Sequence, residues 1–225
     1  MIIYSRLLNA LDPVKDKAEC DQITFNTIEQ LHTGIESDVR PVIDALRQGD
    51  FESLRKENAL NNLISYMGHQ FSRTKVFRAI LDSSAQTNNE AMNNLIQKNN
   101  WFMAILVGVN MGYSTAMYYE TKNVVWLINN TDTRFITSDN PVINVHPSVL
   151  NRKPNGIPPL HTDLYFPISP TLAYMVNDSD YWGDGKVEAT SETVTALNRQ
   201  MLIRCDETVY GDSMEIIKQT KLPKA

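Results

Sequence analysis

The sequence predicts an α+β protein, helical in its first half and strand-rich in its second. Three observations carry this. Up to about residue 119, apolar residues recur at spacings of three and four, the period of one helical face. From about residue 120, short β-branched and aromatic runs are separated by turn-forming clusters. The two kinds of element come as blocks, which argues against a repeating βαβ chain. We expect one domain over residues 1-225, its helical part at about 20-119 packed on a mostly antiparallel sheet at about 120-215, with a closing helix. Two subdomains meeting near Glu120 are the alternative.

The first helix spans about Gln22 to Gln48, with Ile28, Leu31, Ile35, Val39, Val42 and Leu46 on one face. Pro41 has no N–H for the residue four back, so a kink or boundary is expected near Ser37 to Pro41. Gly49 suits the position after the helix, and Asp50 can cap the next one. That second helix is expected over about Phe51 to Leu81, burying Leu60, Leu63, Ile64, Met67, Phe71 and Phe77. A third opens at Thr87-Asn88-Asn89-Glu90, which has capping-box spacing, with Met92, Leu95 and Ile96 as its apolar face. The fourth, Trp101 to about Tyr118, is apolar on most sides and therefore central.

Strands are expected at Val124 to Ile128, then at Arg134 to Thr137 and Pro141 to Val145 about a tight turn. Asn151 to Pro159, with three prolines, two asparagines and a glycine, is a loop. Leu164 to Ile168 and Thr171 to Val176 form two strands joined through Ser169-Pro170, and Gly183-Asp184-Gly185 is a turn. A helix over about Ser191 to Arg204 places Val194, Leu197, Met201 and Leu202 inward, and Val209-Tyr210 adds a short strand.

A net charge of −5 gives no electrostatic reason to expect nucleic acid as a partner. The two cysteines, Cys20 and Cys205, are far apart and fit a reducing compartment. Met1 to Leu8 lacks the basic start and apolar core of a signal peptide. The longest near-continuous apolar run, Trp101 to Val109, is about half the ~20 residues a bilayer span needs. A cytoplasmic protein without membrane contact is expected, and a homo-oligomer is compatible with all of this.

The most distinctive string is Phe135-Ile136-Thr137-Ser138-Asp139-Asn140-Pro141-Val142, followed by Phe166-Pro167-Ile168-Ser169-Pro170-Thr171-Leu172-Ala173. Together they resemble a mainly bacterial family, domain of unknown function 4238 (DUF4238). Ser72 to Arg78, the Ile35-Glu36 pair, Leu197-Asn198 and Val209-Tyr210 are similar to further family features, so the resemblance covers about Ile28 to Gly211. The family's His-Tyr-x-Pro segment has no counterpart here, and the chain is expected to begin downstream of it. Thr171 stands where the family has arginine, and Lys75 where it has proline. The resemblance implies a fold and no activity.

Ser138-Asp139-Asn140-Pro141 admits two readings. Asp and Asn side chains commonly accept hydrogen bonds from nearby backbone N–H groups, which makes the tetrapeptide a turn. Alternatively, a carboxylate at a strand end, flanked by Thr137, Ser138 and Asn140, can hold a hard cation or act as a general base. Arg73 shares a helical face with His69 and Tyr66 and suits an anion clamp, or an ion pair with Asp139 or Glu36. Glu36 lies one turn from His32, a weak metal-ligand pattern. His146 and His161 read as loop histidines, and no phosphate loop, nucleophile elbow or zinc helix occurs.

Two functions follow. One is a metal-assisted hydrolase, nuclease-like, with Asp139, Asn140 and Arg73 catalytic, Thr137, Ser138, His69 and Glu36 binding, and a divalent metal as cofactor. The other is a non-catalytic binding or regulatory domain in which the turn only fixes strand register.

Overall fold

The computed structural model describes residues 17–84, 89–90, 93–94, 97, 99–117, 123–150 and 161–220. The chain divides into two compact units, Met1–Asn62 and Leu63–Ala225. The change from helices to strands near Glu120 therefore falls inside the second unit.

In the first unit, α1 (Lys17–Arg47) continues through Pro41, so the helix boundary that was one of the two expectations there does not occur. Ser37 and Pro41 are both exposed, so water can reach the carbonyl that loses its donor. Val39, Val42 and Leu46 are buried as their spacing predicts. Gly49 follows the helix at φ 80°, the left-handed conformation that glycine adopts at no cost. Asp50 then accepts Ser53 N–H at 3.2 Å.

The single second helix expected from Phe51 to Leu81 is three pieces. A 3-10 turn covers Glu52–Arg55, α2 covers Ala59–Ser72, and α3 covers Lys75–Ser84. Asn58, at φ 63°, breaks the first junction. At the second, Thr74 Oγ1 accepts Phe77 N–H at 3.1 Å and caps α3. Of the apolar face expected for the single helix, Leu63, Ile64 and Met67 are buried, while Leu60, Phe71 and Phe77 are half-buried. Of the third expected helix, Thr87, Asn88, Met92, Leu95 and Ile96 lie outside the described residues.

In the second unit, α2 and α4 (Asn100–Met117) cross at glycines. A Cβ on Gly68 would sit 2.6 Å from Gly108 O and 2.9 Å from Gly112 N. Only hydrogen fits there, so the two backbones touch. Asn100 Nδ2 donates to Arg78 O at 3.2 Å and to Asp82 Oδ1 at 2.5 Å, joining α4 to α3. No described helix is long and apolar enough to cross a membrane.

The main sheet has the order β3-β4-β5-β1-β6: Ile143–Asn144, Asp163–Ser169, Leu172–Asn177, Asn123–Ile128 and Gly185–Glu188. All pairs are antiparallel except β1 with β6. The strand at Gly185–Glu188 was not expected, because a Gly-Asp-Gly turn masks its start. β4 and β5 form the hairpin expected about Ser169-Pro170, with an irregularity between Pro167 and Ser169. Both faces of β5 are buried. On one face, Tyr66 of α2 meets Phe166 edge-on at 6.0 Å between ring centroids. On the other, Val125, Leu127, Tyr165, Ala173 and Met175 pack with Val194, Leu197 and Met201 of α5 (Ser191–Arg204). Thr190 caps α5 by accepting Thr193 N–H at 3.2 Å.

The strands flanking Ser138-Pro141 do not form a hairpin. β2 (Thr137–Ser138) pairs antiparallel with β7 (Val209–Tyr210) in a separate two-stranded sheet, while β3 joins the main sheet. Arg134 to Ile136 carry no ladder of their own. A short helix, α6 (Met214–Gln219), capped by Ser213, follows β7.

Candidate functional site

The Thr137–Pro141 segment is where the chain leaves the small sheet and enters the large one, against the C-terminal end of α5. Asp139 is partly buried there. Its Oδ1 accepts Asp206 N–H at 3.0 Å, and its Oδ2 accepts Glu207 N–H at 2.7 Å and Thr208 N–H at 2.9 Å. Three consecutive amides thus converge on one carboxylate, the arrangement by which backbone nests hold anions. Burial pushes the carboxyl pKa up, but these amides and Asp139's own N–H pull it further down, so the net pKa is below the ordinary aspartate value.

Ser138, Asn140 and Thr137 complete the turn. Ser138 Oγ accepts Asn140 N–H and donates to Asn140 O, both at 3.1 Å, with Met201 Sδ at 3.2 Å. Asn140 Nδ2 donates to Arg204 O at 3.1 Å, satisfying a carbonyl in the last turn of α5. Thr137 pairs with Tyr210 across the small sheet, and its Oγ1 is buried without a hydrogen-bond partner.

Lys75 is a basic residue whose charge meets this turn. Lys75 Nζ lies 3.1 Å from Glu207 Oε1, and its pKa is raised first by that hydrogen bond and also by the charges of Asp206 and Asp139. Arg73 is exposed just past the end of α2, while His69, on the same helix, is buried. Glu36 is exposed on α1 in the first unit. The structure therefore joins Thr137, Ser138, Asp139 and Asn140 in one turn. The bonds that hold the Asp139 carboxylate come from the main chain of residues 206–208.

Two buried residues that were not singled out for a site tie this region together. Asn198, fully buried on α5, accepts Ile136 N–H at 3.1 Å and donates to Arg134 O at 2.8 Å. It thereby supplies the bonds that Arg134 and Ile136 lack as a strand. Arg204, 5% exposed, donates to Gln200 Oε1 and Val149 O, each at 2.5 Å. Burial lowers its pKa to about 10, so it stays charged at neutral pH. The signal for both was their spacing: Val194, Leu197, Asn198, Met201 and Arg204 share one helical face, and a polar residue on an apolar face needs a buried partner.

The His146 and His161 rings lie 5.6 Å apart between centroids, tilted by 32°. His146 Nδ1 accepts Ser148 N–H at 3.2 Å, which commits that nitrogen to the local turn. Among the described residues, no three His, Cys, Asp or Glu side chains come together as a metal-ligand group.

No curated protein and no solved structure matches the chain. The family model described as "Protein of unknown function (DUF4238)" matches residues 16–215, which is most of the length. It contains both long motifs, and the turn of the first and the strands of the second are the elements just described. The chain belongs to the DUF4238 family.

Proposed function

We propose that this chain is a non-catalytic binding or regulatory domain in which Ser138-Asp139-Asn140-Pro141 is a structural joint. One observation supports this above all: the Asp139 carboxylate is engaged by three main-chain amides. An ionised carboxylate has about four acceptor sites. With three of them taken, little basicity remains for a metal or a substrate proton, and a depressed pKa further weakens a general base. A metal-assisted hydrolase would also need two or three converging ligands, whereas the Ser138 hydroxyl is engaged with the Asn140 backbone and the Asn140 amide nitrogen with the end of α5.

The test uses the purified chain with an activated aryl phosphodiester and Mg²⁺ or Mn²⁺. No metal-dependent turnover above background is expected. Metal-dependent hydrolysis that disappears in a folded Asp139→Asn variant would overturn this reading in favour of the hydrolase.

A further inference from the structure

α4 is pinned on one side and bare on the other. Its inner face, Ala104, Gly108, Gly112 and Thr115, is buried, and its two glycines meet the backbone of α2. Its outer face exposes Met103 (39%), Leu106 (46%), Val109 (55%) and Tyr113 (64%). These are four of the seven large hydrophobic side chains exposed among the described residues. Side chains of this size present apolar surface on the order of a few hundred Å², a patch size that is commonly functional on a monomer.

Spacing identifies the kind of partner. Met103, Leu106, Asn110 and Tyr113 are separated by three, four and three residues, the a/d pattern of a two-helix seam. No Asp, Glu, Lys or Arg occurs anywhere in α4, so a charged partner would find no counter-charge on it. The one polar residue of the seam, Asn110, holds an a position. An asparagine there is satisfied best by the same asparagine across a parallel two-fold axis, which also sets register. We propose that two copies of this chain associate through α4, parallel and in register, with Met103, Leu106, Asn110 and Tyr113 each facing its own counterpart.

The seam is short. Ten residues of helix rise about 15 Å, and two patches of a few hundred Å² stay below the roughly 1,200 Å² of a standard interface. Association is therefore weak and concentration-dependent. It holds whether or not the domain has an activity, and its failure would leave the reading of Asp139 untouched.

Sedimentation velocity of the full chain between about 1 and 200 μM tests it. The expected result is a mass rising from 25.6 kDa toward twice that value, with Leu106→Glu weakening dimerisation at least tenfold. Leu106 is half-exposed, so this variant leaves the fold intact. In a Cys20→Ser, Cys205→Ser background, Leu106→Cys should oxidise to a covalent dimer faster than Lys186→Cys, an exposed site on β6. A single 25.6 kDa species at every concentration, or a dimer indifferent to Leu106→Glu, overturns the proposal. A dimer in which Leu106→Cys does not cross-link overturns the parallel pairing.

Discussion

Asp139 and Thr208 hold each other by two hydrogen bonds of opposite sense. Thr208 N–H donates to Asp139 Oδ2 at 2.9 Å, and Asp139 N–H donates to Thr208 O at 3.0 Å. This reciprocal pair fixes the loop after α5 against the start of the turn and brings β7 alongside β2. Asp139→Ala leaves three amides without their acceptor. Hydrogen bonds to a charged group contribute about 1.5–3 kcal/mol each when buried. Partial exposure and water reduce the total, and a loss of about 2–3 kcal/mol in urea unfolding is expected.

The same carboxylate gives a pH signature. Its pKa is lowered in the folded chain, since the pull of the amides outweighs the push of burial. A group with a depressed folded pKa stabilises the fold above its unfolded value, near 4, and loses that contribution as pH falls through the folded value. The stability difference between wild type and Asp139→Asn should be largest at neutral pH and shrink below about pH 4. A difference that instead grows in acid would contradict the bonding described.

Glycine substitutions should separate into two classes. Gly68→Ala drives a Cβ to 2.6 Å from Gly108 O, and backbone cannot yield without moving α4. A loss of about 1–3 kcal/mol is expected, as for other overpacked sites. Gly34 is exposed within α1, and a methyl added there would meet nothing within 4 Å. Gly34→Ala should raise helix stability by up to about 1 kcal/mol, read as a higher midpoint in the helical circular dichroism signal.

Arg204→Ala should destabilise the second unit through its acceptors rather than its charge. Removal takes a donor from the buried Gln200 Oε1 and from the half-buried Val149 O. Unsatisfied buried groups cost about 1–3 kcal/mol each, so a loss of about 2–4 kcal/mol in denaturant unfolding is expected. Arg204→Lys should recover only part, because one ammonium on a different stem does not reproduce a planar fork.

Asn198 discriminates shape from hydrogen bonding. Asn198→Leu keeps the branched heavy-atom skeleton, with somewhat more bulk, but abandons Ile136 N–H and Arg134 O, for a loss of about 2–4 kcal/mol. Asn198→Asp keeps an acceptor for Ile136 while setting an anion against the Arg134 carbonyl. It should lose stability as pH rises through the aspartate range, the opposite trend to Asp139.

Local rules sufficed for much of this. The 3.6-residue period placed Val39, Val42 and Leu46 inside α1 and Val194, Leu197 and Met201 inside α5, because which face is apolar is a property of the chain itself. The β4–β5 hairpin and the Gly49 terminus were legible for the same reason: turn chemistry acts over a few residues. Pairing between distant segments was not. That β2 would leave its sequence neighbour for β7, about seventy residues away, depends on Asp139 meeting the amides of Asp206, Glu207 and Thr208. An aspartate before Asn-Pro reads equally as a site or as a joint, since both uses need the same carboxylate. Only the fold decides which N–H groups reach it first, and here the main chain does.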